Sequence, residues 1–259
     1  MNPVHTDPQL ARRSGPTIRL ADMTTVVLIR HGRSTANADG VLAGRSKGVG
    51  LDATGREQAR QMADRLTGLQ LAGVITSPLK RCRQTAAAIT GTTAPAADVE
   101  HGINECDYGH WQGRKLADLS GEPLWSTIQE HPSAAVFPGG ESLRNMQFRA
   151  VSAIRARAAE FDASHGERAV WAAVSHGDVI KSILADALGT HLDHFQRLIV
   201  NPASVSVITY TASRPYVIAM NTHVGNLAWV GADADSNTAA TGAQVGGGDV
   251  PDSTATGQA

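Results

Sequence analysis

Cysteine is nearly absent from this chain: Cys82 and Cys106 are the only two among 259 residues. They form neither a zinc spacing nor a C-x-x-C pair, which excludes a zinc ribbon and a dithiol redox centre. Reduced thiols in a cytoplasmic protein are the simple reading. Long apolar runs are missing too. None reaches the ~18 residues of a membrane span, and residues 1–22, "MNPVHTDPQLARRSGPTIRLAD", hold none long enough for a signal peptide. A basic excess is the third absence. Lys and Arg number 23 against 24 Asp and Glu, for a net charge of −1. A nucleic-acid or anionic-membrane surface would need more positive charge. A small basic pocket is still allowed, because it needs only two or three well-placed cations.

What is present fits one medium domain with extensions. Hydrophobic residues make up 42%, ordinary for a globular core, and no solenoid-type repeat occurs. Apolar and helical segments alternate as in an α/β protein with a mainly parallel sheet. "TTVVLIR" (24–30) reads as a strand buried on both faces. Thr54 and Glu57 make a capping box for a helix from about Thr54 to Leu66, with Ala59, Met62, Ala63 and Leu66 as its apolar stripe. A strand over 72–77 leads to a helix through "LKRCRQTAAAI" that should stop near Gly91. Residues 106–140 are irregular and read as a lid-like insertion. Their Trp111, Trp125 and Phe137 either give that lid an apolar character or pack in the core. A long helix starts near Glu141, with Leu143, Met146, Ala150, Ile154, Ala158 and Phe161 along one face. Then come a strand over 168–174, the tetrapeptide "SHGD", a helix, and two strands (204–210 and 215–220) forming an edge hairpin. An exposed edge at 215–220 permits a homo-oligomer. Residues 1–22 read as a loose extension before a functional start at Met23, and the domain as 23–230. Residues 231–259 have no Leu, Ile or aromatic and read as a disordered tail.

In doubly wound sheets, ligands bind beyond the carboxyl ends of strands, where helix N-termini also point. Three strands here end in polar groups of one kind: Arg30-His31-Gly32, then Ser77-Pro78 leading to Lys80-Arg81, then Ser175-His176-Gly177. A Gly after each His lets the backbone turn sharply. Two histidines and two arginines near one point suit a phosphoryl group. Guanidinium forks match phosphate oxygens in shape and charge, and imidazole can attack phosphorus. Each piece alone carries little, since a single strand-end His is more often a hydrogen-bonded structural residue. The joint occurrence, in an order that fits a βαβ layout, carries the argument.

With these residues the chain resembles the histidine phosphatase superfamily, also called phosphoglycerate mutase-like, over about 24–228. The matching motifs are Arg30-His31-Gly32, Asn37 in "RHGRSTAN", "SPLKRCRQTA" with Arg81, Glu105 in "NECDYGHWQG", "PGGES" with Glu141 and Ser142, and His176-Gly177. The wording of "VLAGRSKGVGLD" and "EPLWSTIQEHPSAAVFPGGES" resembles an actinobacterial branch of phosphomutase or acid phosphatase type. There are departures. Arg33 stands where many members carry Glu or Gln, and "RSKGVGLDATG" lacks the usual D-x-P-L run. Arg33, Arg45 and Lys47 therefore either make the mouth more basic or are solvated surface charges.

The resemblance implies a three-layer α/β sandwich around a mainly parallel sheet. It implies His31 as nucleophile, Arg30, Arg81 and His176 as the phosphate clamp, and Glu105 as the acid that protonates the leaving oxygen. Ser34, Asn37, Gly44 and Gly177 would line the substrate site. Neither metal nor cofactor is implied, and the partner is a small phosphorylated metabolite. Burial would raise the pKa of Glu105 while the clamp cations would lower it. A phosphomonoesterase is the reading favoured, because residues 106–140 carry only Arg114 and Lys115 as cations. A phosphoglycerate mutase-type phosphomutase is the alternative, and a dead phosphate-binding module a third. The remaining histidines, His191 and His194 included, show no metal spacing.

Overall fold

The computed structural model describes residues 24–93, 96–166 and 168–231. The expected extension at 1–22 lies outside them, as does the tail apart from Gly231. Six strands form one sheet: β1 (Thr24–Arg30), β2 (Val74–Thr76), β3 (Asp98–Val99), β4 (Val170–Ser175), β5 (Val205–Tyr210) and β6 (Pro215–Thr222). Their order is β3-β2-β4-β1-β5-β6. The first four are parallel, and the β5–β6 hairpin adds an antiparallel edge. The helices are α1 (Thr35–Ala38), α2 (Ala53–Arg65), α3 (Lys80–Thr93), α4 (Leu116–Leu119), α5 (Pro123–Glu130), α6 (Leu143–His165) and α7 (Gly177–Ala187).

Alternation along β1 splits the core in two. Val26 and Leu28 face α6 and α7 together with Trp171, Ala173 and Ile208. Val27 and Ile29 face the layer holding Met62 and Leu66 of the α2 region and Cys82, Ala86 and Ile89 of α3. Helices thus cover both faces of a mostly parallel sheet, the expected α/β sandwich. The long helix buries Leu143, Met146, Ala150, Ile154 and Ala158, at spacings of three and four. Each large apolar side chain so buried contributes about 1.5–3 kcal/mol.

Several boundaries differ from the sequence reading. The cap of α2 is Asp52, whose carboxylate accepts from Gly55 N–H at 2.6 Å, and not the Thr54–Glu57 box. The Thr54 hydroxyl instead accepts from Arg33 Nη2 at 2.8 Å, and Glu57 pairs with Arg60. Helix α3 runs through Gly91 to Thr93, since one glycine weakens a helix without ending it. β3, only two residues long, carried no pattern to read. The long helix starts one residue after its Ser142 cap, which accepts from Asn145 N–H at 3.0 Å. In segment 106–140, Trp111 and Phe137 are buried in the α6–α7 core. Trp111 stacks on Trp125, with ring centroids 6.4 Å apart.

Strand register sets up the site. Arg30 lies level with Ser175, and Thr76 with Val174. His31, Ser77 and His176 therefore leave the sheet along one edge. The turn after His31 runs against the start of α2. A Cβ on Gly32 would strike Gly55 O, and a Cβ on Gly55 would strike Arg33 O. Only glycine allows this approach. Gly55→Ala should lower stability by about 3 kcal/mol, because backbone and not a movable side chain must yield; urea denaturation measures it, and a wild-type midpoint would show that the two segments are not in contact.

Candidate active site

His31 follows the last residue of β1 and is 3% exposed. Its Nδ1–H donates to Gly32 O at 2.7 Å, which leaves the Nε2 lone pair facing inward. Arg81, on the first turn of α3 and 2% exposed, donates from Nε to that Nε2 at 3.1 Å. A guanidinium only donates, so its 3.1 Å contact from Nη2 to His176 Nδ1 makes that nitrogen an acceptor too. His176 Nε2–H then donates to Ser77 Oγ at 2.7 Å. The two rings lie 5.3 Å apart, edge to face. Burial, with Arg81 next in effect, holds both imidazoles well below the usual histidine range. Both are neutral at pH 7, so His31 Nε2 carries a lone pair, which accepts from Arg81 until an electrophile replaces that contact.

Arg30 is fixed by a 2.6 Å bond from Nη1 to Val200 O, and Gly177 leaves room for it: a Cβ there would come within 3.2 Å of Arg30 Cζ. Arg81 Nη2 also donates to Gly44 O at 2.9 Å, with Gly44 at φ +50°. Yet Arg30 Nε and Arg81 Nη1 are buried with no hydrogen-bond partner. An unpaired buried donor costs about 1–3 kcal/mol. Two of them, both cationic and beside two neutral imidazoles, are explained by an anion that accepts from both. The N-terminus of α7, which begins at Gly177, adds its dipole at the same edge.

Glu105 completes the cluster. Its Oε2 lies 3.5 Å from His176 Nδ1 and 3.7 Å from Arg81 Nη2, and its Oε1 accepts from Cys106 N–H at 3.0 Å. The side chain's burial raises its pKa to about 7, over the opposing pull of Arg81. The competition left open by the sequence is decided by burial, so this carboxyl can hold or release a proton near neutrality.

The structure thus brings together Arg30, His31, Arg81, Glu105 and His176, with Gly44 and Gly177 as their supports. Ser34 and Asn37 sit one turn further on. The Ser34 hydroxyl accepts from Asn37 N–H at 3.1 Å and donates to Asn37 Oδ1 at 2.9 Å, as the cap of α1. Arg33 pairs with Asp52 at 2.6 Å, and Arg45 with Glu141 at 2.9 Å, while Lys47 is exposed. Arg33 and Arg45 are therefore ion-paired, and the Arg33 side chain stays 43% exposed, as a surface charge does. A chain the sequence reading missed borders the cluster: Tyr108 OH donates to Asp178 Oδ2 at 2.8 Å, and Lys181 Nζ donates to Asp178 Oδ1 at 3.2 Å and Gln196 Oε1 at 2.6 Å. The signal for Asp178 was present as the residue after His176-Gly177. Cys82 touches the His176 ring, with Sγ 3.4 Å from Nε2, and burial pushes its thiol up to about 12. Among the described residues no cluster of His, Cys, Asp and Glu is arranged to hold a metal ion.

Cationic donors left unpaired at the carboxyl edge of a parallel sheet define an anion-binding α/β protein equipped for phosphoryl chemistry. A protein-family model described as the histidine phosphatase superfamily (branch 1) matches residues 26–223, and the chain belongs to that family. It is 29% identical over 213 residues to 2-carboxy-D-arabinitol-1-phosphatase of Triticum aestivum, covering 80% of this chain and 41% of that protein. The chain thus spans about two fifths of this plant relative's length. It is 30% identical over 193 residues to "Probable phosphoglycerate mutase GpmB" of Enterobacter sp. (strain 638), covering 74% of this chain and 87% of that one. Among solved structures, the alpha-ribazole phosphatase of Shigella flexneri matches with TM-score 0.68 and 25% identity, over 78% of this chain and 98% of that one. A mycobacterial glucosyl-3-phosphoglycerate phosphatase matches with TM-score 0.67 and 25% identity, over 76% and 98%.

If the two orphaned donors meet one anion, inorganic phosphate at about a hundredfold excess over its Kd should stabilise the fold by about 2.7 kcal/mol. That is a rise in Tm of roughly 5–10 °C. Arg81→Ala should abolish the rise. An equal rise in that variant would place the anion elsewhere.

Proposed function

We propose that this chain is a phosphomonoesterase that hydrolyses small phosphorylated metabolites through a phosphohistidine. The observation that carries this reading is the His31 Nε2 lone pair beside Arg81, in a cluster where Arg30 and Arg81 each keep one buried N–H unpaired. The ester's phosphoryl group fills the clamp. Arg30 Nε and Arg81 Nη1 bind its oxygens, and His176 donates once the dianion's charge has raised its pKa and protonated Nδ1. His31 Nε2 attacks phosphorus in line, the bond to the ester oxygen breaks, and Glu105 gives its proton to that oxygen. Glu105, now a carboxylate, takes a proton from water as the water oxygen attacks phosphohistidine. Inorganic phosphate leaves, with His31 and the protonated acid restored.

The two guanidiniums of the clamp repel a divalent cation and supply charge stabilisation themselves. This supports metal-independent chemistry. The relatives named as phosphatases of carboxyarabinitol 1-phosphate, alpha-ribazole phosphate and glucosyl-3-phosphoglycerate support a small phosphorylated substrate. A phosphomutase is the second reading, favoured by the GpmB-type relative. It would need free cations for a second anionic group. Arg114 is paired with Glu122 at 2.6 Å, and Arg33 and Arg45 are paired as described. The pairing of these three arginines favours hydrolysis, with Lys47 and Lys115 the exposed cations beside them. Two buried free thiols support a reducing compartment, the cytoplasm. The wording of residues 41–52 and 122–142 supports the actinobacterial branch.

His31→Ala should lower kcat by about three decades or more, roughly 4 kcal/mol of barrier; a variant with near-wild-type phosphate release would remove the nucleophile from this reading. The pH profile follows from the direction of the two shifts. The His31 pKa is depressed, so the attacking nitrogen is neutral from mildly acidic pH upward. The Glu105 pKa is raised to about 7, and the acid acts protonated, so kcat/KM for an alkyl phosphate should fall as pH rises through about 7. Glu105→Gln should lose that alkaline limb, and persistence of the limb would assign it to another group.

A further inference from the structure

Glu105 stands on an irregular stretch, between a 3-10 turn that ends at Ile103 and one that begins at Gly109. No strand ladder or helix holds its backbone. Two guanidiniums do so instead. Arg45 Nε donates to Glu105 O at 2.8 Å, and Arg149 Nη2 donates to the same oxygen at 3.0 Å. Arg149 Nη1 also holds Gly102 O and Asn104 O, at 2.7 and 2.8 Å. One carboxylate unites the two cations. Glu141 Oε1 accepts from Arg45 Nη2 at 2.9 Å, Arg149 Nη2 at 2.6 Å and Asp107 N–H at 2.9 Å, and Oε2 accepts from Arg149 Nε at 3.0 Å.

These groups come from three places: the loop after Gly44, the turn before α6, and the second turn of α6. The loop makes a further link. Gly44, directly before Arg45, accepts from Arg81 Nη2, so one short segment bonds both to the phosphate clamp and to the backbone of Glu105. Glu141 and Arg149 are mostly buried, with side chains 16% and 23% exposed, unlike a solvated surface pair. Planar forks fix direction as well as charge. Two of these bonds end on the carbonyl of Glu105, and the others hold Gly102, Asn104 and Asp107 beside it.

We infer that Arg45, Glu141 and Arg149 are positioning residues that set the distance from the Glu105 carboxyl to the leaving oxygen. The inference rests on reading Glu105 as the general acid of a phosphatase. It predicts an effect on kcat/KM confined to substrates that need a proton on departure, because the water attack that Glu105 also serves follows the first irreversible step and shows in kcat alone. An alkoxide leaving group needs one; 4-nitrophenolate leaves without it.

The test compares Glu141→Gln with wild type, both as full chains, on glycerol 3-phosphate and on 4-nitrophenyl phosphate. Expected is a loss of about tenfold to a hundredfold in kcat/KM on the alkyl phosphate, the scale of a misplaced catalytic group. On the aryl phosphate the loss should stay within about threefold. The inhibition constant of inorganic phosphate should move by no more than about threefold, because the clamp is untouched. Glu105→Gln calibrates the signature and should show the same selective loss. Equal losses on both substrates, or no loss on either, overturn the positioning role while leaving the phosphatase reading intact. A wild type that releases phosphate from neither substrate overturns that reading and the positioning with it. Where thermal melting shows that Glu141→Gln does not fold, Arg45→Lys, on a loop, keeps the charge, removes the fork and carries the same comparison.

Discussion

Two guanidiniums, Arg81 buried and Arg30 partly so, each with one buried N–H left unpaired, form an expensive arrangement. The remaining structure is arranged around tolerating it. Burial, and next the neighbouring guanidinium of Arg81, drive His31 and His176 to the neutral form. That neutrality gives His31 its lone pair. The nearest carboxyl, Glu105, would ordinarily neutralise the arginines. Burial keeps its pKa near 7, so it does not collapse into a permanent ion pair. The clamp therefore stays open for an anion that can accept from both donors at once.

Backbone geometry makes the arrangement reachable. Parallel pairing of β1 with β4 and of β4 with β2 brings three strand ends to one level, and each ends in a side chain of the cluster or its support. Glycine is required where backbone segments touch, Gly32 against Gly55, and it eases the close approach of the Arg30 guanidinium to Gly177. The side chain of Arg81 is threaded between two imidazoles and a backbone carbonyl, so its fork has one orientation. Preorganisation of this kind removes the reorganisation that water would otherwise demand as phosphoryl charge develops.

A second ionic layer lies outside the first. Arg45, Glu141 and Arg149 are joined to one another and to the backbone on both sides of Glu105. The inner layer is cationic and unsatisfied; the outer is internally paired and satisfied. Such a division allows a site to hold strain where the ligand binds while the surrounding frame stays rigid. It also explains why the extra arginines at the mouth, Arg33 and Arg45, do not enlarge the basic surface: each already has an acidic partner.

The sandwich was legible from local pattern alone: β1 is a short run apolar on both faces, and α6 buries residues at spacings of three and four. The sequence by itself also determined which residues are chemically able to clamp a phosphoryl group, since residue type fixes donor geometry and charge. Short β3 and the Asp52 cap were hidden: two residues carry no period, and Thr54 was as good a local candidate until Arg33 took its hydroxyl. The protonation of Glu105, the tautomers of both histidines and the pairing of Arg45 with Glu141 were set by the folded packing. Each depends on desolvation and on groups tens of residues away in the chain, and neither quantity exists until the layers have closed.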